Sequence, residues 1–147
     1  PMDLDTWLEE QGRQSVQIWC EDPVTKKEGL GFSFTSYTIV YQRSPEDQMH
    51  RVQRRYKDFD TLHAALQMLY NPMGFVLPAL PGKKVAFNKD PTFLTQRMRG
   101  LTQYCEQLMR SPILRNCNFV KAFLNEEVHL VAKDSLVRSA AAFTMNE

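Results

Sequence analysis

At 147 residues, with 43% hydrophobic and 24% charged positions, the chain has the size and make-up of one ordinary domain that buries its core without staples. A formal net charge of only +1 argues against a general nucleic-acid binder, so any electrostatic function must come from local clustering. No apolar run approaches the roughly 20 residues of a membrane-spanning helix, and no signal-peptide pattern opens the chain, so membrane contact is expected to be peripheral.

Pro1 ahead of Met2 reads as a cloning remnant, and residues 2–14 are acidic, with Leu4, Trp7 and Leu8 at helical spacing. Residues 1–15 are therefore expected to form a leading helix or a loosely docked arm. Val16-Gln17-Ile18-Trp19-Cys20 begins with apolar and polar residues in alternation, which predicts a first strand. Glu21-Asp22-Pro23 and the lysine-glycine stretch to Gly31 predict a long turn after it. Phe34 to Tyr41, rich in β-branched and aromatic residues, predicts the second strand, Arg43 to Asp47 a turn, and His50 to Tyr56 the third strand. Short connections between consecutive strands favour an antiparallel meander.

From Lys57 the pattern becomes helical as far as Tyr70, where Asn71-Pro72-Met73-Gly74 ends it. His63 falls beside the apolar stripe of that helix and reads as a core-edge histidine. An extended, proline-spaced segment follows, Phe75-Val76-Leu77-Pro78-Ala79-Leu80-Pro81-Gly82-Lys83-Lys84. Pro91 starts a long helix to about Arg110, Ser111-Pro112 stops it, and Asn118 to Glu127 predicts a last short helix. Val128 to Glu147 can be drawn as an amphipathic helix carrying Leu130, Val131, Leu136, Val137, Ala140 and Phe143. Cys20, Cys105 and Cys117 are widely spaced, with no zinc-ligand pattern around them, and read as reduced, buried thiols of a cytosolic protein.

Charge is concentrated in Arg54-Arg55-Tyr56-Lys57-Asp58-Phe59, at the junction of the third strand and first long helix. A guanidinium matches the oxygen pairs of a phosphate with two charge-assisted hydrogen bonds, and a neighbouring tyrosine ring suits the flat face of a sugar or cyclitol. The competing reading is that these cations solvate an exposed strand end. On the long helix, at about 100° per residue, Leu94, Met98, Leu101, Cys105 and Leu108 share the core face. Arg97 lies about 60° from the middle of that stripe, on the side of Gly100 and Tyr104, while Arg99 points to solvent. Arg97 is then either a ligand-facing arginine or a boundary residue snorkelling over the core.

In this order and spacing, Arg54-Arg55-Tyr56-Lys57-Asp58-Phe59, the proline-spaced loop and Arg97-x-x-x-Leu101 resemble the three motifs of the phox-homology (PX) domain of sorting nexins. The resemblance runs from about Val16 to Glu127. It implies an α+β fold: a three-stranded antiparallel β-meander packed against a bundle of three to four helices, with a proline-rich loop. Residues 16–127 would be the PX domain and 128–147 an amphipathic connector, of the kind that precedes a BAR coiled coil in some sorting nexins. What the resemblance implies of function is a non-enzymatic, phosphoinositide-binding module that needs no cofactor, is cytoplasmic, and is peripherally attached to endosomal membranes in protein sorting. Arg55 would hold the 3-phosphate of phosphatidylinositol 3-phosphate, and Tyr56 would pack on the inositol ring. Lys83 would neutralise the 1-phosphate, and Arg97 would bond the 4- and 5-hydroxyls. Arg54, Lys57, Lys84 and Lys89 are candidates for further headgroup or membrane contact, Arg54 more as a support of the sheet or of the membrane-facing potential than of the headgroup itself. Val85 and Phe87, with Val76 and Leu77 as outliers, are candidates for dipping into the bilayer.

Lys57 and Ala79 depart from the family pattern, and a lysine at 57 also suits more highly phosphorylated lipids. The alternative is a protein-interaction domain of the same fold with weak or broadened lipid specificity. It would present Leu77-Pro78-Ala79-Leu80-Pro81 or a helical surface to trafficking partners, or dimerise through a following domain. Catalysis is disfavoured because no nucleophile elbow, glycine-rich phosphate loop or acidic metal cluster is evident.

Overall fold

The computed structural model describes Leu4 and residues 17–29, 31–82 and 90–128. The rest of the N-terminal arm, the connector beyond Val128, and Lys83, Lys84, Val85, Phe87 and Lys89 lie outside the described residues. Strands β1 (Gln17–Glu28), β2 (Phe32–Gln42) and β3 (His50–Arg55) form an antiparallel sheet in the order β1-β2-β3, the expected meander.

The predicted long turn after Glu21 is instead more strand. Pro23 has no N–H to give to a ladder, and the pairing accommodates it by a register shift between Glu21 and Val24 and then resumes to Glu28. The chain reverses at Gly29 and Gly31, whose φ values of 64° and 83° are ones that glycine adopts without strain. The third strand ends one residue earlier than expected, at Arg55, because Tyr56 already belongs to the helix.

Among the described residues four α-helices follow: α1 (Tyr56–Tyr70), α2 (Pro91–Arg110), α3 (Pro112–Arg115) and α4 (Asn118–Phe123). Helix α3 was not foreseen; Ser111 ends α2 and caps α3 by accepting the Leu114 N–H at 3.3 Å, so Pro112 starts a helix as well as stopping one. Helix α4 stops at Phe123 and not at Glu127.

One core unites these elements. Ile18, Cys20, Tyr37, Ile39, Tyr41 and Val52 from the sheet meet Phe59, Leu62 and Leu66 of α1 and Leu101, Cys105 and Leu108 of α2. Phe59 is fully buried, with its ring edge-on to Phe123 at 4.9 Å and to Tyr104 at 6.5 Å. The Cys20 N–H donates to Thr102 Oγ1 at 3.0 Å, which ties β1 to α2. All three cysteines are buried free thiols; the neighbouring Cys20 sulfur and then burial hold the Cys105 thiol above its ordinary range.

Candidate functional site

Arg54 and Arg55 are neighbours in sequence, but strand alternation sends their side chains to opposite faces of the sheet. Arg54 is 6% exposed. Its Nε donates to the Phe123 carbonyl and its Nη2 to the Asn125 carbonyl, each at 2.8 Å, and its guanidinium lies 5.7 Å from the Phe123 ring centroid. Burial lowers its pKa, opposed by the charge of Asp58. The arginine raised from the sequence as a further headgroup or membrane contact is thus committed to the end of α4, where Tyr41 also donates to the Leu124 carbonyl at 2.9 Å.

Arg55 stands at the end of β3, opposite Ser36, with its guanidinium 4.6 Å from the ring centroid of Phe34, two residues along β2. It is also the N-cap of α1. Its N–H donates to Asp58 Oδ2 at 2.8 Å, a carboxylate that burial holds above its ordinary pKa. Since the first N–H groups of a helix have no partner within it, the positive end of α1 adds to the Arg55 charge at this corner.

Tyr56, the first residue of α1, is the hinge of the site. Its hydroxyl donates to the Pro81 carbonyl, which brings the proline-spaced segment back over the start of α1. Arg97 of α2 lays its guanidinium 4.2 Å from the Tyr56 ring centroid and 4.6 Å from that of Phe93. Its Nη2 also donates to the Gly82 carbonyl at 3.5 Å. One arginine thus lies against the Tyr56 ring, and the arginine that precedes Tyr56 in the chain lies against Phe34.

Sequence reasoning missed both supporting rings. Phe93 precedes Arg97 by four residues on α2 and so shares its face, which made it findable. Phe34 needed the β2–β3 register. The side of Gly100 is occupied by Pro81, and Tyr104 is buried, its hydroxyl hydrogen-bonded with His63 Nδ1 at 2.9 Å. Lys57 is exposed on the first turn of α1. Val76 is 88% exposed, but it follows the far end of α1, about 22 Å of helix from Tyr56, and Leu77 packs against the core. Neither belongs to the corner at Tyr56. A concavity of about 950 Å³, lined by Tyr41, Arg43, His50, Arg115 and Lys121 among others, lies toward the other end of β3 and includes none of Arg55, Tyr56 or Arg97.

Residues 42–127 match the family model described as "PX domain", a span that includes the junction, the proline segment and α2. The chain belongs to the PX domain family. PX domains generally bind phosphoinositides in membranes and take part in trafficking, and both they and sorting nexins are generally non-enzymatic.

Over 137 residues the chain is 28% identical to sorting nexin-10A of Danio rerio, covering 90% of this chain and 59% of that protein. It is 37% identical over 109 residues to sorting nexin MVP1 of Kluyveromyces lactis, covering 70% of this chain and 21% of the relative. A mouse PX domain-containing protein kinase-like protein is 39% identical over 94 residues, 63% of this chain and 15% of that one. The chain thus spans less than two thirds of the length of these relatives. Among solved structures, a designed CISK-PX domain superposes with a TM-score of 0.64 at 30% identity, over 74% of this chain and 98% of that chain. The mouse SNX19 PX domain with bound sulphate ion gives 0.59 at 26% identity, over 76% and 97%.

Among the described residues no helix of this PX domain is long and apolar enough to cross a membrane, and no cluster of histidine, cysteine, aspartate and glutamate is arranged to hold a metal ion.

Proposed function

We propose that this PX domain recognises phosphatidylinositol 3-phosphate and so attaches its protein peripherally to endosomal membranes, on the cytoplasmic face, in protein sorting. The observation that carries the reading is the corner at Tyr56, where Arg55 ends β3 and caps α1 while Arg97 of α2 lies against the ring of the adjoining Tyr56. In this reading Arg55 takes the 3-phosphate and Tyr56 supports the inositol ring. Arg97, already held against Tyr56 and Phe93, bonds the 4- and 5-hydroxyls. Lys83 follows directly on Gly82, whose carbonyl Arg97 bonds, a position that suits the 1-phosphate. The lysines and apolar residues of 83–89 would supply interfacial docking, each cation being worth about 1 kcal/mol at an anionic surface.

The polyproline alternative is weakened by a specific observation. Leu77 and Leu80 pack against the core, and the Pro81 carbonyl is taken by Tyr56, so the segment is engaged with its own domain. Liposome titration against the seven phosphoinositides tests the proposal, with the 3-monophosphate expected to bind tightest. Arg55→Ala should then lose on the order of 1.5–3 kcal/mol of affinity, the value of a charged hydrogen bond. Equal binding by this variant and the parent would remove Arg55 from the site.

A further inference from the structure

Nothing in the backbone at position 100 calls for glycine. It lies inside the 20-residue helix α2 and has no left-handed φ, yet glycine weakens a helix interior relative to alanine. What calls for it is Pro81. A Cβ built on Gly100 would stand 2.6 Å from Pro81 Cγ and 3.3 Å from Pro81 Cβ. The bare backbone of α2 is a seat for the proline ring.

That ring is rigid and its φ is locked, so it cannot swing aside as the tip of a long side chain would. Restoring an ordinary carbon contact of about 3.5–4.0 Å requires the loop itself to retreat by about 1 Å. Two bonds of the candidate site are anchored on this short stretch: the Pro81 carbonyl accepts from the Tyr56 hydroxyl, and the Gly82 carbonyl from Arg97 Nη2. Gly100 lies three residues beyond Arg97, on the same side of α2, so the seat and the arginine share one rigid element.

We infer that Gly100 is a positioning residue that sets the fit of the headgroup site, and with it the discrimination between one phosphorylated ring and another. The inference rests on the headgroup reading above. With Pro81 seated, Tyr56 and Arg97 are held at fixed spacing against one wall. With Pro81 lifted, that wall moves outward, so the site holds a ring bearing a single 3-phosphate less tightly and rejects an additional 5-phosphate less well.

The test measures binding to neutral liposomes carrying phosphatidylinositol 3-phosphate or phosphatidylinositol 3,5-bisphosphate, with thermal unfolding alongside. The proteins are the parent, Gly100→Ala, Pro81→Ala, the double variant and Arg55→Ala. Gly100→Ala is expected to bind the monophosphate about tenfold more weakly, within the usual coupling between touching residues, and to lose part of its preference over the bisphosphate. Pro81→Ala empties the seat without altering α2 and should show the same loss of preference, which keeps the test decisive even if Gly100→Ala folds poorly. Because the offending Cγ is gone in the double variant, it should bind no worse than Pro81→Ala alone. A Gly100→Ala protein with parental affinity and preference, or with a loss that simply adds to that of Pro81→Ala, overturns the inference while Arg55→Ala still loses binding. If Arg55→Ala also binds as the parent does, the headgroup reading has failed and this inference falls with it.

Discussion

Arg54 carries its charge into the interior because two backbone carbonyls at the end of α4 are waiting for it. Arg55, one residue on, keeps its charge at the corner of the sheet on the Phe34 ring. Their substitutions should separate cleanly. Arg54→Ala leaves the buried Phe123 carbonyl and the half-buried Asn125 carbonyl without these donors, a loss of about 1–3 kcal/mol for the buried one, and the urea midpoint should fall accordingly. Lipid affinity of the fraction that remains folded should be near the parent's. Arg55→Ala should show the reverse, weak lipid binding with a nearly parental midpoint. If Arg54→Ala instead lost binding at an unchanged midpoint, its place in the interior would be wrong. The sequence marks both residues as basic and sets Tyr56 beside Arg55; it does not say which one faces inward, since that depends on the β2–β3 register and on where α4 ends.

The helices position the corner through one wedge. Phe59 sits one turn into α1, fully buried between Phe123 and Tyr104, so the start of α1 is held against both α4 and α2. Phe59→Ala is expected to cost about 3–5 kcal/mol of stability, read as a lowered denaturation midpoint. Its loss should also loosen the register between Tyr56 and Arg97, because these two lie on the two helices that the ring separates. Lipid affinity measured well below the unfolding transition should therefore fall as well. Periodicity made α1 and α2 legible almost to the residue. It failed at β1, where Pro23 and a glycine-lysine stretch look like a turn but are absorbed as an irregularity in a longer hairpin. It also failed at α3, four residues long and below what spacing alone can reveal.

Across the whole molecule, stability should depend on pH through His63. Burial holds its imidazole below the ordinary value of 6.5, with the Asp60 charge opposing, and its Nδ1 shares a hydrogen bond with a buried Tyr104 phenol whose own pKa burial pushes up. A group whose pKa is depressed by folding takes up its proton more readily in the unfolded chain. Its contribution is therefore complete above about 6.5 and is lost as pH falls through the folded value. The melting temperature should decline as pH is lowered from 6.5 toward 5, and His63→Gln, which keeps an acceptor but does not titrate there, should flatten the decline. An unchanged slope in the variant would detach the effect from His63.

Local chemistry, carried in the order of residues, was enough to name the secondary-structure types, the reduced thiols, the basic junction and the resemblance to a PX domain, because side-chain spacing and turn residues act over a few positions. Distance along the chain hid the rest. That Arg97 lies on Tyr56, that Phe34 underlies Arg55, that Arg54 ends at α4 and that Pro81 rests on Gly100 are facts about segments many residues apart. They are set by packing, which has no signature in any single stretch of sequence.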